Sequence, residues 1–206
     1  MRLGCASAAI AQIMFFHRRC PTGAVSYVAP GYGHVYMNFT AEAATLCDWG
    51  SFALAPPNVS SDPAIQRVAR FEYAAALAVE KLWGTGTYAL SHEARAASVS
   101  ARYGVNATRL TLETKPNQRG AVSRAVMVAA IVDSLQRRLP MKLQIGDLAH
   151  VHFHHVVVDG FELKSSTGQL MLHLNIGHSG YDDGWSVQRT QLQASRRTRG
   201  QRICRP

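Results

Sequence analysis

The chain is expected to fold as an α+β protein, with a helical first part followed by an antiparallel sheet. Four runs between residues 5 and 137 carry apolar residues at helical spacing. From Pro140 the period shortens to two, and the alternating runs are separated by short clusters of Asp, Gly and Ser. Helices first and hairpin-linked strands afterwards is the α+β order, not the alternating order of a parallel sheet.

The first helix is expected from about Cys5 to Phe16, where Ala9, Ile10, Ile13 and Met14 share a face and Pro21 and Gly23 follow the end. Val25 to about Pro57 is rich in Gly, Tyr and Pro, carries few helical signals and reads as loop. Ser61-Asp62-Pro63 is a helix start: an oxygen side chain accepts an orphan N–H, and proline lacks a proton that would have no helical partner. Val68, Phe71, Ala75 and Val79 then keep helical spacing, so a long core helix is expected over Ile65 to Leu82 until Gly84-Thr85-Gly86-Thr87 breaks it. A shorter helix over Ser91 to Tyr103 stops at Gly104, and a fourth over Ser123 to Arg137 ends before Pro140. Met141 to Ile145 alternates, His152 to Val158 is β-branched, and Gln169 to Asn175 alternates again. Asp159-Gly160, Ser165 to Gly168 and Asp182-Asp183-Gly184 read as turns, the last before Trp185-Ser186-Val187. The expected organisation is one domain over 1–190, mainly helical over 1–139 and sheet over 140–190, with a basic tail over 191–206.

Composition narrows the function classes. At 206 residues, 47% of them hydrophobic, the chain can bury a core as one domain or as two small lobes. No apolar stretch reaches the roughly 18 residues of a membrane span, and no signal segment precedes Cys5. The net charge of +9 is partly concentrated in Arg196, Arg197, Arg199, Arg202 and Arg205, a polar stretch without interleaved aromatics, so specific nucleic-acid binding is not expected. The four cysteines have no C-x-x-C spacing, which argues against a zinc ribbon and leaves a Cys20–Cys47 disulfide open. Sequons at Asn38, Asn58 and Asn106 occur too readily by chance to decide anything.

Two features carry chemistry. Cys5 opens an apolar helical run, and a histidine-dense strand over His150 to Asp159 lies far downstream. A thiolate is the strong nucleophile, and the positive end of a helix together with a nearby imidazolium favours it. A thiol at a helix start with an imidazole delivered by a distant strand is the layout of papain-like cysteine peptidases.

Three segments resemble the streptopain-like cysteine peptidases, which have the papain-like fold. Gly4-Cys5-Ala6-Ser7-Ala8-Ala9-Ile10-Ala11-Gln12-Ile13-Met14-Phe15-Phe16-His17 is similar to the family's G-C-x-A-x-A-x-A-Q-I-M-x-x-H. His154-His155-Val156-Val157-Val158-Asp159-Gly160 resembles G-H-A-F-V-I-D-G without its first glycine, and His173 to Gly180 followed by Asp183-Gly184-Trp185 resembles H-V-N-W-G-W-G-G with its D-G turn and aromatic. Asp48-Trp49 and Trp83-Gly84 stand where the family has similar dipeptides. The resemblance implies Cys5 as nucleophile, His154 as general acid/base and Asn175 as the group that orients the imidazole. Counting back from Asp159-Gly160 without a gap selects His154 over His155, and strand alternation places the two on opposite faces. It implies a secreted cysteine-type endopeptidase, monomeric and without cofactor, that takes protein or peptide substrates through a thioester acyl-enzyme.

Departures from the family pattern set further expectations. Only four residues precede Cys5, so an upstream oxyanion glutamine is not supplied by them; a truncated start or a catalytically degenerate binding module would account for this. Phe153 replaces a glycine and is expected to crowd the turn or the groove, and Ile176 replaces a tryptophan that would shield the histidine. Met14 is expected in the core, and His17 at a helix end favoured by the dipole. A third reading takes His150, His152 and His154, with His173 from a neighbouring strand, as a transition-metal site, but the resemblance explains His154 and His173 without a metal.

Overall fold

The apolar run after Gly4 forms α1 (Cys5–Phe16) with the bounds its periodicity predicts. The computed structural model describes residues 3–52, 62–83, 87–112, 118–146, 153–177 and 182–187. The chain divides into two units, Met1–Arg109 and Leu110–Pro206. His150, His152, the 191–206 tail, the glycine-threonine stretch over 84–86 and residues 178–180 of the third family-like segment lie outside the described residues.

In the first unit, the segment expected as loop holds a hairpin, β1 (Ala24–Ala29) and β2 (Gly33–Asn38), followed by α2 (Phe39–Leu46). Val25, Ala29, Val35 and Met37 are buried in the core with Tyr27 partly buried beside them, and the outward Ser26, His34 and Tyr36 dilute the alternation. Asn38 Oδ1 accepts the Ala41 N–H at 3.1 Å and so starts α2 as a helix cap. A disulfide joins Cys20, beyond the end of α1, to Cys47 at the end of α2.

α3 (Pro63–Ala78) begins as its residues predict, with Asp62 Oδ1 accepting the Ala64 N–H at 2.8 Å. It ends short of Leu82 because Glu80 turns the chain at φ 52. Ala74 to Val79 are all buried, and the alanines at 74, 75, 76 and 78 let α1 pack directly on the helix. Phe71 closes the other end of this core among Phe15, Trp49 and Phe52. α4 (His92–Tyr103) is capped by Ser91 and stopped by Gly104 at φ 61, and it inserts Val99 and Tyr103. Met14 is buried in this core as expected. His17 stands at the C-cap of α1 as expected, but burial, then Arg19, hold its imidazole below the ordinary value, so it is neutral near pH 7 and adds no cation there.

In the second unit, α5 (Arg124–Gln136) packs on a four-stranded antiparallel sheet in the order β3 (Met141–Gly146), β4 (Phe153–Lys164), β5 (Gln169–Asn175), β6 (Gly184–Val187). Val128, Ile131 and Leu135 on α5 meet Val156, Val158, Phe161, Leu170, Leu172 and Leu174. The fourth helix therefore belongs with the sheet, and the chain divides after Arg109 instead of near residue 140. Asp159-Gly160 is likewise no turn: β4 runs through it with a register shift between Val158 and Gly160. A Cβ on Gly160 would stand 3.2 Å from His173 Cβ and 3.7 Å from Trp185 Cη2, so the glycine makes room for both. No helix among the described residues is long and apolar enough to cross a membrane.

Candidate active site

Cys5 is the first residue of α1, half-buried and outside the disulfide. Gly4 caps the helix at φ 87, a conformation that favours glycine. A Cβ there would also lie 3.2 Å from Lys81 Cε and 3.3 Å from Tyr88 Oη. No side chain caps this helix start and no acidic residue stands in its first turn, so no carboxylate of the first turn neutralises the positive end of the helix. Ser7, fully buried, sits 3.4 Å from Tyr88 Oη through its own hydroxyl.

His154 and Asn175 lie in the second unit. Strand alternation puts His154 on the β4 face of Val156 and Val158, where α5 packs, and His155 on the other face. His154 Nε2 is 2.9 Å from the Ile176 carbonyl oxygen. A carbonyl only accepts, so Nε2 carries the proton, and in the neutral ring Nδ1 is the basic nitrogen.

That carbonyl is held by its neighbours. The Ile176 N–H donates to Asp183 Oδ1 at 2.8 Å, and the Gly177 N–H donates to Asn175 Oδ1 at 2.9 Å. The Asn175 side chain thus braces the 175–177 corner, while the acceptor seen for His154 Nε2 is a backbone oxygen of the next residue. Ile176 itself is partly buried against the second core.

His173 pairs with Gly160 and presents its ring on the face opposite His154, with Nδ1 2.6 Å from Asp159 Oδ1 and the ring edge-on to Trp185 at 5.3 Å. It does not share a face with His154, as the metal reading requires. Phe153 is 53% exposed and pairs with Gly146 across the β3–β4 ladder.

Sequence reasoning missed the Ile176 carbonyl, Asp183, Lys81 and Tyr88. A backbone acceptor leaves no residue-type signal, Asp183 reads as an ordinary turn residue, and the latter two lie more than seventy positions from Cys5.

The model of the Peptidase C10 family matches residues 1–186, which cover every residue of the candidate site. A search of curated proteins finds no match. The chain belongs to the Peptidase C10 family, the streptopain family of cysteine peptidases with the papain-like fold.

Proposed function

We propose that the protein is an endopeptidase that cleaves protein or peptide substrates with Cys5 as nucleophile and His154 as general acid/base. His154 Nδ1 takes the Cys5 proton, the thiolate adds to the scissile carbonyl, and the imidazolium returns the proton to the leaving amine. Water, activated by the same imidazole, then hydrolyses the thioester. The N–H groups at the uncapped start of α1 serve as donors to the tetrahedral oxyanion. The observation that carries this reading is the His154 Nε2 to Ile176 carbonyl bond, which leaves the ring in the tautomer a base at Nδ1 needs. The Cys20–Cys47 disulfide supports action in an oxidising compartment outside the cytoplasm.

Hydrolysis of an unfolded protein substrate is expected to stop when Cys5 is alkylated and to persist in a metal chelator. Activity that survives alkylation and disappears with chelation would overturn the assignment.

Asp183 acts one bond further out. Asp183→Ala is expected to lower kcat/KM about tenfold, mostly in kcat, because the Ile176 peptide loses its anchor and the imidazole its orientation. Asp183→Asn retains an acceptor oxygen and is expected to restore most of the rate. Equal losses in the two variants, read by steady-state kinetics, would assign Asp183 a role of charge instead.

A further inference from the structure

Strict alternation in β4 breaks once, and the break decides which of two adjacent histidines stands at the site. From Phe161 onward the odd positions meet the second core: Phe161 lies opposite Leu172 and Leu163 opposite Leu170. Before it the even positions do so, with Val158 opposite Leu174, and Val156 and His154 opposite Leu143 and Ile145 of β3. The change of parity is the register shift between Val158 and Gly160, a bulge whose extra residue is Asp159. A regular ladder counted back from Phe161 would bring Asp159 opposite Leu174 and turn His155 to the face that His154 occupies, since a one-residue slip exchanges the two faces of a strand. It would also shift the 175–177 corner by one residue along β4 and take the Ile176 carbonyl away from His154 Nε2.

Side chains hold the bulge where it is. Asp159 reaches across to β5, where its Oδ1 accepts the His173 Nδ1–H at 2.6 Å, with the two side chains only 24% and 17% exposed. His173 is the residue opposite Gly160, which has no Cβ to meet it, and Trp185 of β6 stands edge-on to its ring. The bond therefore ties the extra residue to the partner strand at the point of the shift.

We propose that Asp159 and His173 are positioning residues of the peptidase: their bond fixes the bulge, and through it selects His154 over His155 and sets the Ile176 carbonyl against His154 Nε2. The inference rests on the reading of His154 as the base. An alanine at 159 removes the bond, and it also removes the penalty for turning a carboxylate onto the apolar face opposite Leu174, so the slipped register opens. An asparagine keeps both an acceptor oxygen for His173 and that penalty. Phenylalanine at 173 keeps a ring beside Trp185 and removes the bond from the other side.

The test combines steady-state kinetics with nitrogen-15 NMR of the imidazoles, the His154 signals being assigned by their loss in His154→Ala. Asp159→Ala and His173→Phe are each expected to lower kcat on the order of 10- to 100-fold with KM little changed, as a misplaced base does. The double variant should be no worse than either, because all three lack the same bond. Asp159→Asn is expected to recover most of the loss. In the NMR spectra, His154 should carry its proton on Nε2 in wild type and Asp159→Asn and lose that single tautomer in Asp159→Ala and His173→Phe. An unchanged kcat, a His154 that keeps its Nε2 proton, or losses that add in the double variant would overturn the inference. If Asp159→Ala does not melt cooperatively, His173→Phe decides alone, and failure of both to fold would make the pair a requirement of folding and overturn its positioning role. A wild type without hydrolysis that alkylation of Cys5 can stop would sink the reading of His154 as base, while the tautomer, which needs no turnover, still decides what the pair does.

Discussion

Cys5→Ala is expected to abolish peptide hydrolysis, and His154→Ala to lower kcat/KM by about 10⁴-fold or more, since a nucleophile and its base act as one unit. For the same reason the double variant should be hardly worse than the single ones. The thiol becomes a nucleophile only when its proton leaves, and the amine becomes a leaving group only when a proton arrives. In the proposed mechanism one imidazole does both, so neither step is expected to survive its loss. His155→Ala is the internal control. It removes an adjacent imidazole on the opposite face of β4 and is expected to keep the rate within about threefold, as substitutions away from the reacting groups do. Steady-state hydrolysis normalised to intact folded protein checks all four variants. A His155→Ala loss equal to that of His154→Ala would mean that the strand face has been read wrongly.

Removing the Cys20–Cys47 disulfide should have the largest effect on stability. The two cysteines are 27 residues apart in sequence. Loop-closure entropy for that span gives about 3.5 kcal/mol, which for a unit of this size corresponds to a fall in Tm on the order of 15–25 °C. Cys20→Ser with Cys47→Ser is expected to show it in a thermal melt, whereas the Cys5→Ala melt should change little. The placement explains why the effect concerns the site: the bridge ties the segment after α1, whose first residue is Cys5, to the end of α2. Activity of the double variant at 25 °C is expected to survive, with its upper temperature limit reduced. An unchanged melt would mean that packing alone holds these two helices.

The ends of α3, α4 and α5 were legible because they are written in single residues, whereas α2 fell inside the segment read as loop although Asn38 caps it. Asp62 before Pro63, Ser91 and Ser123 each cap the helix they precede, and Gly104 supplies the left-handed stop. The β1–β2 hairpin was not, because its two strands bury only two side chains each and expose Tyr27's neighbours and Tyr36 on the other side. Asp159-Gly160 carries a turn signature, yet the glycine is spent on the approach of His173 and Trp185 and the strand continues. The assignment of α5 to the helical part failed for a different reason. Periodicity reports that a helix has an apolar face, but which surface covers that face is a tertiary choice.

The placement of the candidate side chains was legible in the sequence and that of the backbone groups was not. Cys5 opens α1, and His154 and His155 alternate across β4, as their segments predict. The Ile176 carbonyl at His154 Nε2 has no counterpart in the residue pattern, and the contribution of Asn175 and Asp183 through that corner emerges only from the hydrogen bonds.

The most direct test of the central claim is labelling of the folded, reduced protein by a peptide-based thiol-reactive probe, with the site located by mass spectrometry in wild type, His154→Ala and His155→Ala. Fast labelling confined to Cys5, retained in His155→Ala and lost in His154→Ala, is the expected result. Slow labelling spread over several cysteines, indifferent to His154, would contradict the Cys5–His154 pair.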